Sequence, residues 1–136
     1  MRSLLVDPFQ QEVHVIECGE HIHEWHKWCD CHCFDHLSLG RFFDQMQDMW
    51  VDDEGLLREP RYPMFRWEWY HQPLAGYGLI NASVGPETVA TQMPAEFVQE
   101  HIYWEPWEKR LDPKDYFEQL SRLYMVGSGK SQRRFE

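Results

Sequence analysis

Long hydrophobic runs are absent from this chain. Its uncharged apolar stretches, such as Leu79-Ile80, are far shorter than the roughly 20 residues that cross a bilayer. Near the start, Asp7-Pro8 interrupts the apolar run Leu4-Leu5-Val6 before it reaches the roughly 7–15 apolar residues of a signal peptide. The sequence therefore predicts no membrane contact and a cytoplasmic location.

Recognisable catalytic motifs are absent as well. There is no Gly-x-Ser-x-Gly nucleophile elbow. The stretch 127–131 contains Gly, Ser and Lys, but it follows a predicted helix and lacks the glycine spacing of a phosphate-binding loop. An enzyme is therefore the less favoured class.

Basic residues are scarce over most of the chain. Residues 1–108 hold 6 Lys/Arg against 19 Asp/Glu, a net charge of −13, whereas residues 109–136 hold 7 against 4, a net charge of +3. Such an acidic body repels nucleic acid phosphates and attracts basic protein surfaces. We expect a basic protein as partner and no direct nucleic acid binding, although solubility alone also explains this charge.

Apolar residues are nevertheless numerous enough for one core. The chain has 136 residues, of which 43% are hydrophobic and 15% aromatic. Two β-type runs, residues 3–6 and 13–16, flank Asp7-Pro8 and predict an opening hairpin. A second hairpin is predicted from residues 49–51 and 56–57, because the acidic residues and the glycine of 52–55 are typical of a tight turn.

Further elements complete the predicted fold. Strands are expected from Cys31 to Leu39, ending at Gly40, then over 65–70, where Phe65, Trp67 and Trp69 alternate with polar residues, and over 76–82. Helices are expected over 20–29, from 95 after Pro94, and over 114–125. The sequence thus predicts an α+β domain, residues 1–127, with a mainly antiparallel sheet of hairpins and about three helices packed on it. Residues 128–136 are expected to form a disordered basic tail.

A Cys/His-rich segment offers candidate metal ligands. His26-x2-Cys29 and Cys33-x2-His36 form two half-sites of the spacing that zinc uses. Only three residues separate the halves, which is shorter than in most structural zinc modules. The alternative is that Cys29, Cys31 and Cys33 are small buried hydrophobic residues. Together with Cys18 they are expected to be free thiols or metal ligands, because a cytoplasmic compartment is reducing.

Acidic and aromatic residues supply the candidate interaction surface. The residues assigned to it are Asp44, Asp48, Asp52, Asp53, Glu54, Trp104 and Trp107. Carboxylates that converge in a pocket can also hold Mg²⁺ or act as general acids and bases, although turn chemistry alone explains residues 52–54. Trp67 is expected in the core, whereas Trp104 and Trp107 are expected on a linker, where they would be free to make contacts.

Three stretches carry a resemblance to a known family. They are Leu4-Leu5-Val6-Asp7-Pro8-Phe9 with Val13 and Ile16, Val51-Asp52-Asp53-Glu54-Gly55-Leu56-Leu57, and Pro73-Leu74-Ala75-Gly76-Tyr77-Gly78-Leu79-Ile80. Over residues 3–84 the chain resembles a family of small uncharacterised proteins, catalogued as a domain of unknown function, from bacteriophages, plasmids and other mobile elements. The resemblance implies a mobile-element context and no particular activity.

The favoured function is that of a non-enzymatic acidic interaction protein. In its most concrete form it is a counter-defence inhibitor that binds a basic host protein or mimics nucleic acid charge. One alternative is a zinc-stabilised binding module with His26, Cys29, Cys33 and His36 as ligands. Another is a small metal-dependent hydrolase or nuclease, for which a pair of carboxylates facing a pocket would be the discriminating observation.

Overall fold

Strand pairing between distant parts of the chain organises the protein, whose computed structural model describes residues 1–57 and 62–105. The strands are β1 Arg2–Asp7, β2 Glu12–Glu17, β3 Phe34–Phe42, β4 Gln45–Asp52, β5 Met64–Trp67, β6 Leu74–Ala75, β7 Gly78–Val84, β8 Glu87–Val89 and β9 Ile102–Glu105. The helices are α1 His26–Cys29 and α2 Ala95–His101, with 3-10 turns at Ile22–Glu24 and Gly55–Leu57. The predicted α+β class with a mainly antiparallel sheet is confirmed.

Two antiparallel sheets are present. The larger has the order β2-β1-β7-β4-β3, with β8 paired to β7, and the smaller has the order β6-β5-β9. The predicted opening hairpin is confirmed by the pairing of Leu4 with Val15 and of Val6 with Val13. Because β1 also pairs with β7, its apolar residues are buried on both faces of the larger sheet.

Each face of the larger sheet has its own core. On one face, Leu4 and Val6 pack in a cluster that includes Phe65 and Trp67 of β5 and Val98 of α2. On the other face, Leu5 and Leu79 pack with the segment that carries α1, through Cys18, Trp25, Cys29 and Cys31. The continuous run of apolar residues in β1 follows from this double burial, since alternate side chains of a strand point to opposite faces.

The second predicted hairpin is wrong. Residues 49–51 belong to β4, whose hairpin partner is β3, and the turn between them is Phe43-Asp44. Residues 55–57 form a 3-10 turn instead of a strand. The reason is local, because a carboxylate oxygen of Asp52 accepts a hydrogen bond from the backbone N–H of Glu54, at 3.0 Å, and this turns the chain without a strand partner.

Other predicted boundaries shift. The predicted helix over 20–29 is divided at Trp25 into a 3-10 turn and the four-residue α1. The strand expected from Cys31 begins only at Phe34, and Gly40, with a φ of +97°, lies at a β-bulge inside β3 and does not end it. The strand expected over 65–70 ends at Trp67, so Trp69 lies beyond it, and all four residues of β5 are buried although apolar and polar residues alternate there.

The helix count also differs from the prediction. The described residues contain two α-helices, of which α2 begins directly after Pro94, as expected. The helix predicted over 114–125, the tail over 128–136 and Trp107 lie outside the described residues. Within residues 1–57 and 62–105, no helix has the length and apolar character needed to cross a membrane.

Candidate functional site

A cleft of about 300 Å³ opens where β3 begins, β4 ends and the chain enters β6. Its inner wall includes the buried apolar residues Leu37, Val51 and Leu74. Two exposed acidic residues, Asp35 and Asp53, also line it. Because ligand pockets span roughly 300–1,000 Å³, this one suits a single long side chain better than a large cofactor.

The shape of the cleft depends on a glycine. Gly55 is buried at the start of the 3-10 turn, and a Cβ atom there would lie 2.7 Å from the carbonyl oxygen of Ala75. Only glycine therefore lets this turn approach β6 so closely. The turn after Asp52 and strand β6 lie close together and form two walls of the cleft.

Tyr70 lines the cleft together with the acidic residue Asp35. Burial raises the pKa of the Tyr70 hydroxyl, and the negative charge of Asp35 raises it further. The hydroxyl is therefore a neutral hydrogen-bond donor at neutral pH. The negative charge of the Asp35 carboxylate, which lines the same cleft, would favour a cation there.

The structure separates the acidic residues that the sequence grouped together. Asp44 lies in the turn at one end of β4 and Asp52 at the other end, about 25 Å away for eight residues of extended chain. Asp48 is buried, and its carboxylate accepts a hydrogen bond from Nε2 of His36 at 2.8 Å. Of the predicted acidic set, Asp52 and Asp53 line the cleft, while Asp44, Asp53 and Glu54 are exposed.

Asp35 was missed by the sequence reasoning. Its position two residues before the buried Leu37 is the available signal, because residues at this spacing share one face of a strand. Asp35, Asp52 and Asp53 together give the cleft the acidic lining that a hydrolase would need. Among the described residues, however, no group of three or more His, Cys, Asp or Glu side chains is placed to hold a metal ion.

The proposed zinc ligands are not brought together in the described part of the chain. Nδ1 of His26 donates a hydrogen bond to the carbonyl oxygen of Cys31 at 2.6 Å, and His36 binds Asp48 from strand β3. Cys29 is buried whereas Cys33 is exposed. The alternative prediction of buried hydrophobic thiols is right for Cys29 and Cys31 and wrong for Cys33.

Cys29 is a neutral thiol. Burial raises its pKa well above the ordinary value, and electrostatic interactions with Cys31, Cys18 and Asp52 raise it further. The unfolded chain ionises this thiol above about pH 9, whereas the folded protein keeps it protonated. Stability is therefore lost as the pH rises from about 9 upward, by as much as about 1.4 kcal/mol per pH unit.

Replacement of this thiol gives a test of that pH dependence. We expect Cys29→Ala to be destabilised at pH 7 by the loss of packing, but to lose stability less steeply than the wild type above about pH 9. Urea unfolding at several alkaline pH values measures the slope. Cys33→Ala, which removes an exposed thiol, is the control and should keep the wild-type slope. Equal slopes for wild type and Cys29→Ala would contradict the assignment.

The tryptophans occupy other positions than expected. Trp67 is buried, as predicted. Trp104 does not lie on a linker, because it belongs to β9, pairs with Phe65 and is half-buried against the core. Exposed aromatic surface occurs instead around Trp69, which is 54% exposed, and Phe43, which is 42% exposed.

These two rings belong to a cluster, the aromatic patch, formed by Phe42, Phe43, Trp69, Phe97 and His101. Ring centroids are 5.7 Å apart for Phe42 and Trp69, and 5.3 Å apart for Phe43 and Phe97. The His101 ring lies 4.6 Å from both Trp69 and Phe97. The patch joins the β3–β4 turn, the turn after β5 and the helix α2, which no local sequence pattern connects.

A carboxylate orients the histidine of the patch. Nδ1 of His101 donates a hydrogen bond to Oε1 of Glu68 at 3.1 Å, and the Tyr103 hydroxyl donates to the same oxygen at 3.2 Å. These bonds fix the His101 ring between its aromatic neighbours. The surface is therefore organised before any partner arrives.

Within residues 1–57 and 62–105, the cleft and the aromatic patch are two surface features with the geometry of a contact site. Comparison of the chain with protein-family models, curated proteins and solved structures found no match.

Proposed function

We propose that this protein is a non-enzymatic interaction protein that binds a basic partner protein, with one Lys or Arg side chain of the partner in the cleft. The observation that carries the proposal is the surface charge. The described residues hold 4 Lys/Arg against 17 Asp/Glu, a net charge of −13. Of the four cations only Lys27 and Arg41 are exposed. The described part of the surface therefore carries an excess of negative charge, which attracts a basic surface.

The two remaining cations are engaged inside the fold. The Arg2 guanidinium donates hydrogen bonds to the carbonyl oxygens of Thr91 and Met93, at 2.7 and 2.9 Å. Arg66 is buried, with 2% of its surface exposed. Arg66 is thus removed from the surface, and the half-buried Arg2 is held by two backbone carbonyl groups.

The lining of the cleft matches a long cationic side chain. Its methylene groups would lie against the apolar inner wall that contains Leu37, Val51 and Leu74. The charged end would meet Asp35 and Asp53, and the Tyr70 side chain closes one side. An acidic peptide or a nucleic acid phosphate has no comparable fit, because it would meet charge of its own sign.

The context suggested by the sequence resemblance makes the proposal more specific. An accessory protein of a mobile element with this charge would cover the nucleic-acid-binding surface of a host protein, because that surface is basic. In this form the protein mimics the charge of nucleic acid and inhibits its target by occupying the target's binding site.

An octalysine peptide tests the proposal without knowledge of the natural partner. We expect it to bind the protein and to lose affinity strongly as salt is raised from about 20 to about 200 mM. Isothermal titration calorimetry measures the affinity, and a short DNA duplex is expected not to bind. Binding of octalysine that does not respond to salt, or no binding at low salt, would remove the electrostatic basis of the proposal.

Paired substitutions separate the cleft from the overall charge. Asp35→Asn with Asp53→Asn removes two charges at the cleft, and we expect octalysine to bind about threefold to tenfold more weakly. Glu12→Gln with Glu87→Gln is the matched control. It removes the same charge from exposed residues of β2 and β8, away from the cleft. Equal losses in the two double variants would show that net charge acts alone and that the cleft is not the site.

A further inference from the structure

We propose that the aromatic patch is a second contact site for the same basic partner and that it binds an arginine side chain by stacking. This inference rests on the proposed function, because it assigns a second site on the same partner. The ligand proposed for the patch is the guanidinium group of arginine. Three properties of the patch support it: the strained, exposed conformation of Phe43, the fixed geometry around Trp69 and the negative charge of the flanking residues.

The first property is the conformation of Phe43. The β3–β4 turn places Phe43 and Asp44 at positive φ, 55° and 62°, as in the two-residue turns where Asn-Gly is favoured. A bulky residue such as phenylalanine rarely adopts this conformation. Asn or Gly at this position would give a more stable fold. Residues in strained backbone conformations recur at binding sites. The turn instead holds an exposed phenyl ring against Phe97 of α2.

The second property is the stacked geometry around Trp69. The indole is more than half exposed, yet it is held in place by Phe42 at 5.7 Å, Trp67 at 5.4 Å and His101 at 4.6 Å between ring centroids. An exposed indole fixed in this way offers aromatic surface without a large loss of side-chain entropy on binding. Arginine is the side chain that such a surface suits, since its planar guanidinium packs on aromatic rings.

The third property is the charge around the patch. Asp44 is exposed beside Phe43, and the exposed Glu96 and Glu100 directly precede Phe97 and His101 on α2. Arg41 is the exposed cation nearest in sequence, but alternation along β3 places it on the opposite face from Phe42. The flanking charge therefore favours a cation. It disfavours a second copy of this chain, which carries the same negative surface.

Arginine and lysine peptides of equal length test the inference. We expect octaarginine to bind wild-type protein about threefold more tightly than octalysine, because lysine lacks the planar stacking. Phe43→Asn and Trp69→Ala are each expected to abolish this preference while octalysine affinity stays within about twofold of wild type. Calorimetry gives both affinities. Phe43→Asn is the safer variant for folding, since Asn tolerates a positive φ.

The matched control is Phe9→Asn. Phe9 is another exposed phenylalanine, 45% exposed, in the turn between β1 and β2. This variant should keep the preference for octaarginine. A preference that survives both Phe43→Asn and Trp69→Ala overturns the inference, as does its equal loss in Phe9→Asn.

The peptide experiments also distinguish failure of the arginine site on the patch from failure of the cation site in the cleft. If octaarginine binds and loses affinity in Phe43→Asn while octalysine does not bind, the patch is supported and the cleft is not. If neither peptide binds, both proposals are overturned. Sedimentation of wild type as a dimer that Phe43→Asn dissociates would assign the patch to a second copy and overturn the arginine site.

Discussion

Phe65→Ala is expected to lower the free energy of unfolding by about 3–5 kcal/mol, the largest effect of a single truncation that we anticipate. Phe65 is fully buried in β5 and belongs to the core cluster between the two sheets, with Leu4, Met49 and Ile80. Its loss would leave a cavity that the strands on both sides cannot close. Because small domains have about 5–15 kcal/mol of stability in total, this change removes a large part of it.

Strand β7 of the larger sheet shows how closely the Phe65 ring is packed. Gly78 of β7 faces it, and a Cβ atom at that position would lie 3.0 Å from Cζ of Phe65 and 3.2 Å from Sδ of Met49. Glycine in β7 thus makes room for the ring of another sheet. The two positions fit each other, although they are 13 positions apart in the sequence.

Urea unfolding of Phe65→Ala against Phe43→Ala measures the effect. Both variants lose the same atoms, but Phe43 is partly exposed in a turn, and we expect its truncation to cost less than about 1 kcal/mol. A similar loss for both variants would mean that the two sheets do not share the core described here.

Gln47→Leu is expected to lower the free energy of unfolding by about 2–4 kcal/mol, although leucine is the more hydrophobic residue. Gln47 is fully buried in β4. Its amide donates hydrogen bonds to the Phe42 carbonyl at 2.9 Å and to Oε1 of Gln45 at 3.2 Å, and its carbonyl oxygen accepts one from the Thr91 hydroxyl at 2.6 Å. Leucine would leave these groups buried without their partner.

The same network ties the segment before α2 to the β3–β4 hairpin. Gln45 donates to the Ala90 carbonyl at 2.9 Å and accepts from the backbone N–H of Gln92 at 2.9 Å, and the Thr91 hydroxyl accepts from the N–H of Met93 at 3.1 Å. Loss of Gln47 should therefore also loosen the aromatic patch, which spans both elements.

A double-mutant cycle of Gln47→Leu and Thr91→Val tests the interaction between these two side chains. Valine removes the hydroxyl that Gln47→Leu leaves without its acceptor, so the double variant loses this hydrogen bond once, whereas each single variant loses it separately. The N–H of Met93 loses its acceptor in both variants that carry valine. We expect it to be less destabilised than the sum of the two single variants, by about 1 kcal/mol or more. Strict additivity would indicate that the two side chains do not interact. Gln10→Leu, in an exposed turn, is the control and should change stability by less than about 0.5 kcal/mol.

Local patterns predicted some of the elements well. The opening hairpin follows from β-branched and leucine-rich runs around Asp7-Pro8, and the start of α2 follows from Pro94, which suits a helix N-terminus. In both places the local chemistry and the tertiary contacts favour the same structure. Within residues 52–57 they differ, because a turn with Asp and Gly closes a hairpin only when a second strand follows.

The candidate sites depended far less on local sequence. Asp35 and Asp53 reach one cleft because β3 pairs with β4 and Gly55 permits a close approach to β6. Along the sequence, the spacing around Cys29 is compatible with zinc ligands. In the structure, however, this thiol is buried against the larger sheet and His36 is hydrogen-bonded to Asp48. Spacing along a sequence does not decide which way side chains point once a strand begins between them.

Composition and local pattern by themselves determined the α+β class, the acidic charge, the opening hairpin, the start of α2 and the burial of Trp67. Only the tertiary structure decided which carboxylates share a cleft, which aromatic rings are exposed and which thiols are buried. Charge and short-range turn or capping preferences are properties of a few neighbouring residues. A cleft or a patch is made by residues from separate strands and helices, and their meeting is fixed by strand pairing and core packing over the whole described chain.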